Sequence, residues 1–149
     1  MSETDLIKLY SARILKLAAD IPCTGRLADP DASATRRSTQ CGSTVTVDIA
    51  LSGNRIAEFS QDVHACALGQ AAASVVGAAI IGTTPAQIET ARNQLSAMLS
   101  EGGPPPEAPF DGLEVLIPAR EFKNRHQSIL LTLNATVDAL AKIGKSATA

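Results

Sequence analysis

The chain has 149 residues, 45% of them apolar but only 3% aromatic, so it suits one domain with a core of Ala, Leu, Ile and Val, and global disorder is not expected. Its 13 basic and 15 acidic side chains leave a net charge of −2, and the one local basic cluster, Arg36-Arg37, falls short of a nucleic-acid surface. The longest apolar run, Ala71–Ile81, is too short to span a membrane and the polar N-terminus has no signal pattern, so a cytosolic protein is expected whose three cysteines are thiols or metal ligands.

In chain order, Glu3 to Ala19 reads as an amphipathic helix, capped by Thr4, with Leu6, Tyr10, Ile14 and Leu17 on one stripe; it stops before Ile21-Pro22. Pro22 to Ser33, with Gly25, Asp29 and Pro30, reads as an exposed loop, and Ala34–Gln40 as a short edge strand. A strand over Ser43–Leu51, a Ser52-Gly53-Asn54 turn and a second strand to His64 form a hairpin. Cys66–Ile81 is small or apolar nearly all round, which predicts a buried helix ended by Gly82. Thr84 caps the next helix with Pro85 at its first position, and Ile88, Ala91, Leu95, Met98 and Leu99 are its buried stripe. Glu101–Pro109 reads as an extended connector of polyproline character, and Phe110–Leu116 as one or two helical turns stopped by Ile117-Pro118. A last helix, Ala119 to Ile143, carries Phe122, His126, Ile129, Leu133, Val137 and Leu140 on one stripe. Residues 1–149 are thus expected to form a single domain with 144–149 a frayed tail.

The hairpin brings two cysteines together. Val45, Val47, Ile49 and Leu51 share one face of the first strand, and Ala57, Phe59 and Val63 are the apolar set of the second. A loop of Ser52–Asn54 sets Ile49 against Ala57 and Val47 against Phe59, which brings Cys41 opposite Ala65; a loop of Gly53–Arg55 brings it opposite Ala67. In both registers Cys41 lies within one residue of Cys66, although 25 positions separate them in sequence.

Cys41-Gly42 suits a ligand site because glycine lets the backbone bend close to an ion, and Cys66 opens a helix whose positive end favours a thiolate. Soft metals and iron–sulfur clusters take such ligands; the plainer reading is a pair of small buried hydrophobes or a reactive thiol pair. His126, on the apolar stripe of the last helix, is the candidate third ligand, against the alternative of a hydrogen-bonded core histidine. His64 reads as a solvated strand-end residue and Cys23 as a spare loop thiol. No GxSxG, phosphate loop or other catalytic constellation is present, so a binding protein rather than an enzyme is expected.

From Tyr10 to Leu140 the motifs follow a familiar order: Cys41-Gly42 before a hairpin, Cys66-Ala67-Leu68 opening a small-residue helix with Ser74, Gly82-Thr83, and Ile117-Pro118-Ala119-Arg120 through Arg125-His126. This order resembles the NifU N-terminal/IscU-type iron–sulfur scaffold family. The resemblance implies an α+β fold, a small three-stranded antiparallel sheet packed against several helices, with a metal site at one end of the sheet. It further implies a scaffold or carrier that binds iron, zinc or a 2Fe–2S cluster through Cys41, Cys66 and His126, receives sulfur from a cysteine desulfurase and hands its cargo to acceptor apo-proteins. Two positions depart from the family pattern: Ser43 stands where it has Asp, and Gln127 where it has a third cysteine. The alternative the departures raise is a clusterless relative acting as a protein–protein adaptor or regulator, and a further one is a sulfur-transfer enzyme with a persulfide on Cys66.

Overall fold

The structure, a computed structural model, describes residues 11–144. Helix α1 spans Ala12–Ala19, strands β1, β2 and β3 span Ala32–Arg37, Thr44–Ser52 and Arg55–His64, helix α2 spans Ala67–Ala79, helix α3 Pro85–Ser100 and helix α4 His126–Ile143. The strands form one antiparallel sheet in the order β1-β2-β3. Helix α4 packs on β1 and β2, α2 on β3 and α4, α3 on α4, and α1 on α2, giving the α+β layering expected. Among the described residues no helix is long and apolar enough to cross a membrane.

Ser11 caps α1 by accepting from the Ile14 N–H, so a helix running through this position from Glu3 does not form; Thr4, Leu6 and Tyr10 lie outside the described residues. The stripe survives in Ile14, fully buried, and Leu17, packed at the edge of the core. The low-complexity helix α2 is buried almost all round, with only Ala78 exposed, because its Ala, Gly and Ser positions let neighbours approach closely. Thr84 and Gln87 close a capping box at the start of α3, and Ile88, Ala91, Leu95, Met98 and Leu99 are buried as the spacing predicts.

The hairpin differs from both simple loops. Ser52 pairs with Arg55 across a two-residue Gly53-Asn54 turn, and Gly53 takes the positive φ of +61° that such a turn needs. A bulge at Ala57 then shifts the ladder, so that Ile49 pairs with Phe59 and Val47 with Gln61, not with Ala57 and Phe59. The cause is in the sequence: Ile56 and Phe59 are an odd number of residues apart, and only the extra residue lets both face the core. Ala57 is left exposed. Continued past Thr44 and His64, this ladder is the expected register that sets position 41 opposite 67.

The segment after the connector also departs from expectation. A run of 3-10 turns spans Asp111–Glu121, passing through Pro118, and a second covers Lys123–Arg125, so α4 starts at His126 rather than Ala119. Phe110, Leu113, Leu116 and Ala119 are buried at every third position, which matches the three-residue turn of a 3-10 helix better than the α period. Arg120 ties this run to the end of α3 by donating to the carbonyls of Met98 and Gly103.

Candidate thiol site at the end of the sheet

Cys41 lies in the Ser38–Ser43 turn between β1 and β2. Ser38 N–H donates to Ser43 O (2.8 Å) and Gly42 N–H to Ser38 O (2.9 Å), and Gly42 has a φ of +72°, open to glycine at little cost. Cys66 is the N-cap residue of α2, as its place before the small-residue run predicts. The two thiols are joined by two serine hydroxyls. Cys41 Sγ lies 3.1 Å from Ser43 Oγ, Ser128 Oγ donates to Ser43 Oγ at 3.1 Å, and Ser128 Oγ lies 3.4 Å from Cys66 Sγ. With the Ser128 hydrogen committed to Ser43, its lone pairs face the Cys66 thiol, and the Ser43 hydrogen is free to point at the Cys41 sulfur.

Both serines are buried, and α2 makes room for one of them. A Cβ on Gly69 would stand 2.5 Å from Ser128 Oγ, so position 69 must stay without a side chain for the hydroxyl to lie there. The electrostatic result appears at Cys41. Burial raises its pKa, but the Ser38 and Ser43 hydroxyls, the Ser43 backbone and the Ser128 hydroxyl, which can turn donor to an ionised sulfur, outweigh it and bring the pKa down from 9.0 to about 7.

The other candidates fall as follows. His126 Nε2 lies 3.0 Å from Ala119 O and 3.1 Å from Arg120 O. Carbonyls only accept, so Nε2 carries the proton and the lone pair of the neutral ring is on Nδ1. Gln127 sits in the first turn of α4 and accepts from the Thr39 N–H at 2.9 Å. His64 is exposed beside Asp62 at 3.1 Å. Cys23 lies away from the pair: its carbonyl accepts from the Gln61 N–H (2.8 Å) at mid-β3, and its Sγ approaches Gly77 O (3.8 Å) in the last turns of α2. Among the described residues, no three or more His, Cys, Asp or Glu side chains gather where they could hold a metal ion. A cleft of about 820 Å³, lined by Arg13, Lys16, Asp20, Ser74 and Asp111 among others, contains none of the cysteines.

Sequence reasoning missed Ser38 and Ser128. The signal for Ser128 was there: Ser128, Thr132 and Thr136 recur at four-residue spacing within a buried helix, which marks a polar seam along its core face. Thr132 donates to Gln61 in β3, so the seam joins α4 to the sheet beneath the thiols.

No protein-family model and no curated protein matches the chain. Among solved structures it is similar to the N-terminal part of a nitrogen-fixing NifU-like protein from Brucella abortus, with 41% identity over 94% of this chain and 97% of that one and a TM-score of 0.92. The fold, without close sequence, recurs in a putative iron–sulfur cluster assembly scaffold protein for the SUF system from Fervidobacterium islandicum AW-1, at 20% identity, 90% and 98% coverage and a TM-score of 0.80. Identity and coverage of that order with the Brucella protein, on a shared three-stranded α+β fold, mean that the chain belongs to the NifU-like N-terminal family.

Proposed function

We propose that this protein is an iron–sulfur cluster assembly scaffold or carrier that takes iron or a 2Fe–2S cluster as cargo through the thiolates of Cys41 and Cys66. The observation that carries the reading is the thiol pair itself, joined through Ser43 and Ser128, with Cys41 poised to ionise near neutral pH. A soft cation needs thiolates, and a thiol with a pKa of about 7 gives one up at little cost. The likeness in fold supports the same reading, since the Fervidobacterium neighbour is described as a putative iron–sulfur cluster assembly scaffold protein.

His126 is the third ligand in this proposal, acting through Nδ1; its ring does not gather with the two thiols in this structure, so the cargo has to draw it in. A metal-binding histidine commonly donates its other ring N–H to a carbonyl, which is the arrangement Nε2 has with Ala119 and Arg120. Zinc suits the same donors. The role is binding and transfer without turnover; a cysteine desulfurase supplies sulfur, acceptor apo-proteins receive the cargo, and a reducing cytosol keeps the thiols free.

Anaerobic reconstitution with ferrous iron and sulfide tests this. A thiolate-to-iron absorption band that disappears in Cys41→Ala and in Cys66→Ala is expected; wild-type protein that retains no iron would sink the proposal. Zinc content of protein purified without chelator separates the two metals. A second reading, a clusterless adaptor, is favoured by Gln127, whose amide is a poor ligand for soft metals and is engaged with the Cys41 turn. It predicts wild-type protein with no iron, no zinc and an undiminished ability to bind its partner.

A further inference from the structure

The Cys41 turn meets helix α4 at two side chains: Ser128 bonds Ser43 at its far end, and Gln127 holds its near end through one atom. Gln127 Oε1 accepts from the Thr39 N–H at 2.9 Å, the Thr39 hydroxyl at 3.1 Å and the Ser38 hydroxyl at 3.3 Å. A backbone N–H can only donate, so it is the oxygen of the amide that must face the turn. Ser38 is fully buried, and with its hydrogen given to Gln127 its lone pairs accept from the Cys41 N–H at 3.4 Å and the Cys41 thiol at 3.5 Å. Cys41 therefore hangs from Gln127 through one hydroxyl, while the neighbouring residue Ser128 touches Cys66. One turn of α4 thus addresses both sulfurs. An alanine here would leave the Thr39 N–H and the Ser38 hydroxyl to find water, and the Ser38–Cys41 side of the turn would lose its anchor to the helix, with only the Ser43–Ser128 bond left.

We propose that Gln127 is the positioning residue of the thiol pair: its amide oxygen latches the Cys41 turn onto α4, so that the two sulfurs are held as a preformed pair before any cargo arrives. The position aligned with a family thiol thus holds a clamp in this chain. The latch matters because ordering a ligand-bearing turn costs affinity when the cargo must do it. The inference rests on reading Cys41 and Cys66 as the cargo thiols, but its test uses no cargo, so its failure is separable from a failure to bind iron.

The test is cross-linking by dibromobimane, which fluoresces fully once both of its arms have reacted, in a Cys23→Ser background. The pH is set high enough to ionise both remaining thiols, so that geometry and not protonation is read. Monobromobimane labelling of each thiol and the melting temperature serve as references. Gln127→Ala is expected to slow cross-linking about five- to tenfold, the factor that one or two lost hydrogen bonds give, with the melting temperature lowered by only about a few degrees. Gln127→Glu keeps an acceptor oxygen and is expected to stay within about twofold of wild type. Ser38→Ala, which removes the hydroxyl between latch and thiol, is expected to resemble Gln127→Ala. Cross-linking at the wild-type rate in Gln127→Ala, or equal losses in Gln127→Glu and Gln127→Ala, would overturn the proposal.

Discussion

Two polar clusters grow from strand β2, and they are built in opposite ways. Asp48, in mid-strand, is wholly buried; its carboxylate accepts from Arg26 through two nitrogens at 2.7 and 2.9 Å, from the Leu27 N–H at 3.0 Å, from Ser60 at 3.0 Å and from Ser33. The Arg26 hydrogen bonds, with those from Ser33, Leu27 and Ser60, outweigh burial and hold its pKa far below the ordinary carboxylate range. At the end of the same strand the thiol cluster is made of neutral hydroxyls, and Cys41 stays exposed. The saturated cluster pins the Pro22–Asp31 loop to the sheet and has no lone pair to offer a ligand. The unsaturated one keeps sulfur accessible. A structural network and a reactive one thus differ less in polarity than in how completely their acceptors are spent.

That contrast can be broken in order of expected effect. Asp48→Asn should cost about 2–3 kcal/mol in urea unfolding, less than breaking a wholly enclosed pair because Arg26 is half in solvent, and should leave bimane labelling of Cys41 unchanged. The same residue sets an acid limit. A folded carboxyl that titrates below its unfolded value of about 3.9 stabilises fully above that value, and the stabilisation drains away as pH falls through the folded value. Wild-type stability should therefore fall below about pH 4 more steeply than that of Asp48→Asn; parallel acid titrations would contradict this role.

Gly69→Ala comes next. Its Cβ would meet Ser128 Oγ at 2.5 Å and Ala65 Cβ at 2.9 Å, so it should cost about 1–3 kcal/mol and separate the thiols as well. A variant with reduced stability but unaltered cross-linking would show that Ser128 does not bridge the pair. The smallest stability effect is expected for Ser43→Ala, about 1 kcal/mol, because the lost hydrogen bonds are between neutral groups and the Ser128 hydroxyl keeps its contact with Cys66. Its chemical effect is larger: the pH midpoint of Cys41 alkylation should rise from about 7 toward 9.0. A midpoint that stays put would remove Ser43 from the account of the thiolate.

Several features were legible before any coordinates. Strand alternation named the β2 face, small-residue content named the buried α2, and Thr84-Pro85 named the start of α3, because each signal is written within a few adjacent residues. The same local signals put Cys41 within one residue of Cys66, and the register then fell on one of the expected values even though a turn-plus-bulge, not a longer loop, produced it. The first helix failed where Ser11 chose to cap rather than continue, and the last where a three-residue apolar spacing was read at the α period.

The sequence by itself therefore determined the hairpin and the two helices after it with their buried faces, the neighbourhood of the two thiols and the family to which the order of motifs points. Only the tertiary structure decided what lies between the sulfurs. Ser128 meets Ser43 across 85 residues and Gln127 meets Thr39 across 88, and no local pattern records such a pairing. Helix and strand periods reveal which way a side chain points, whereas a hydrogen bond depends on which distant partner shares that direction once the core has closed.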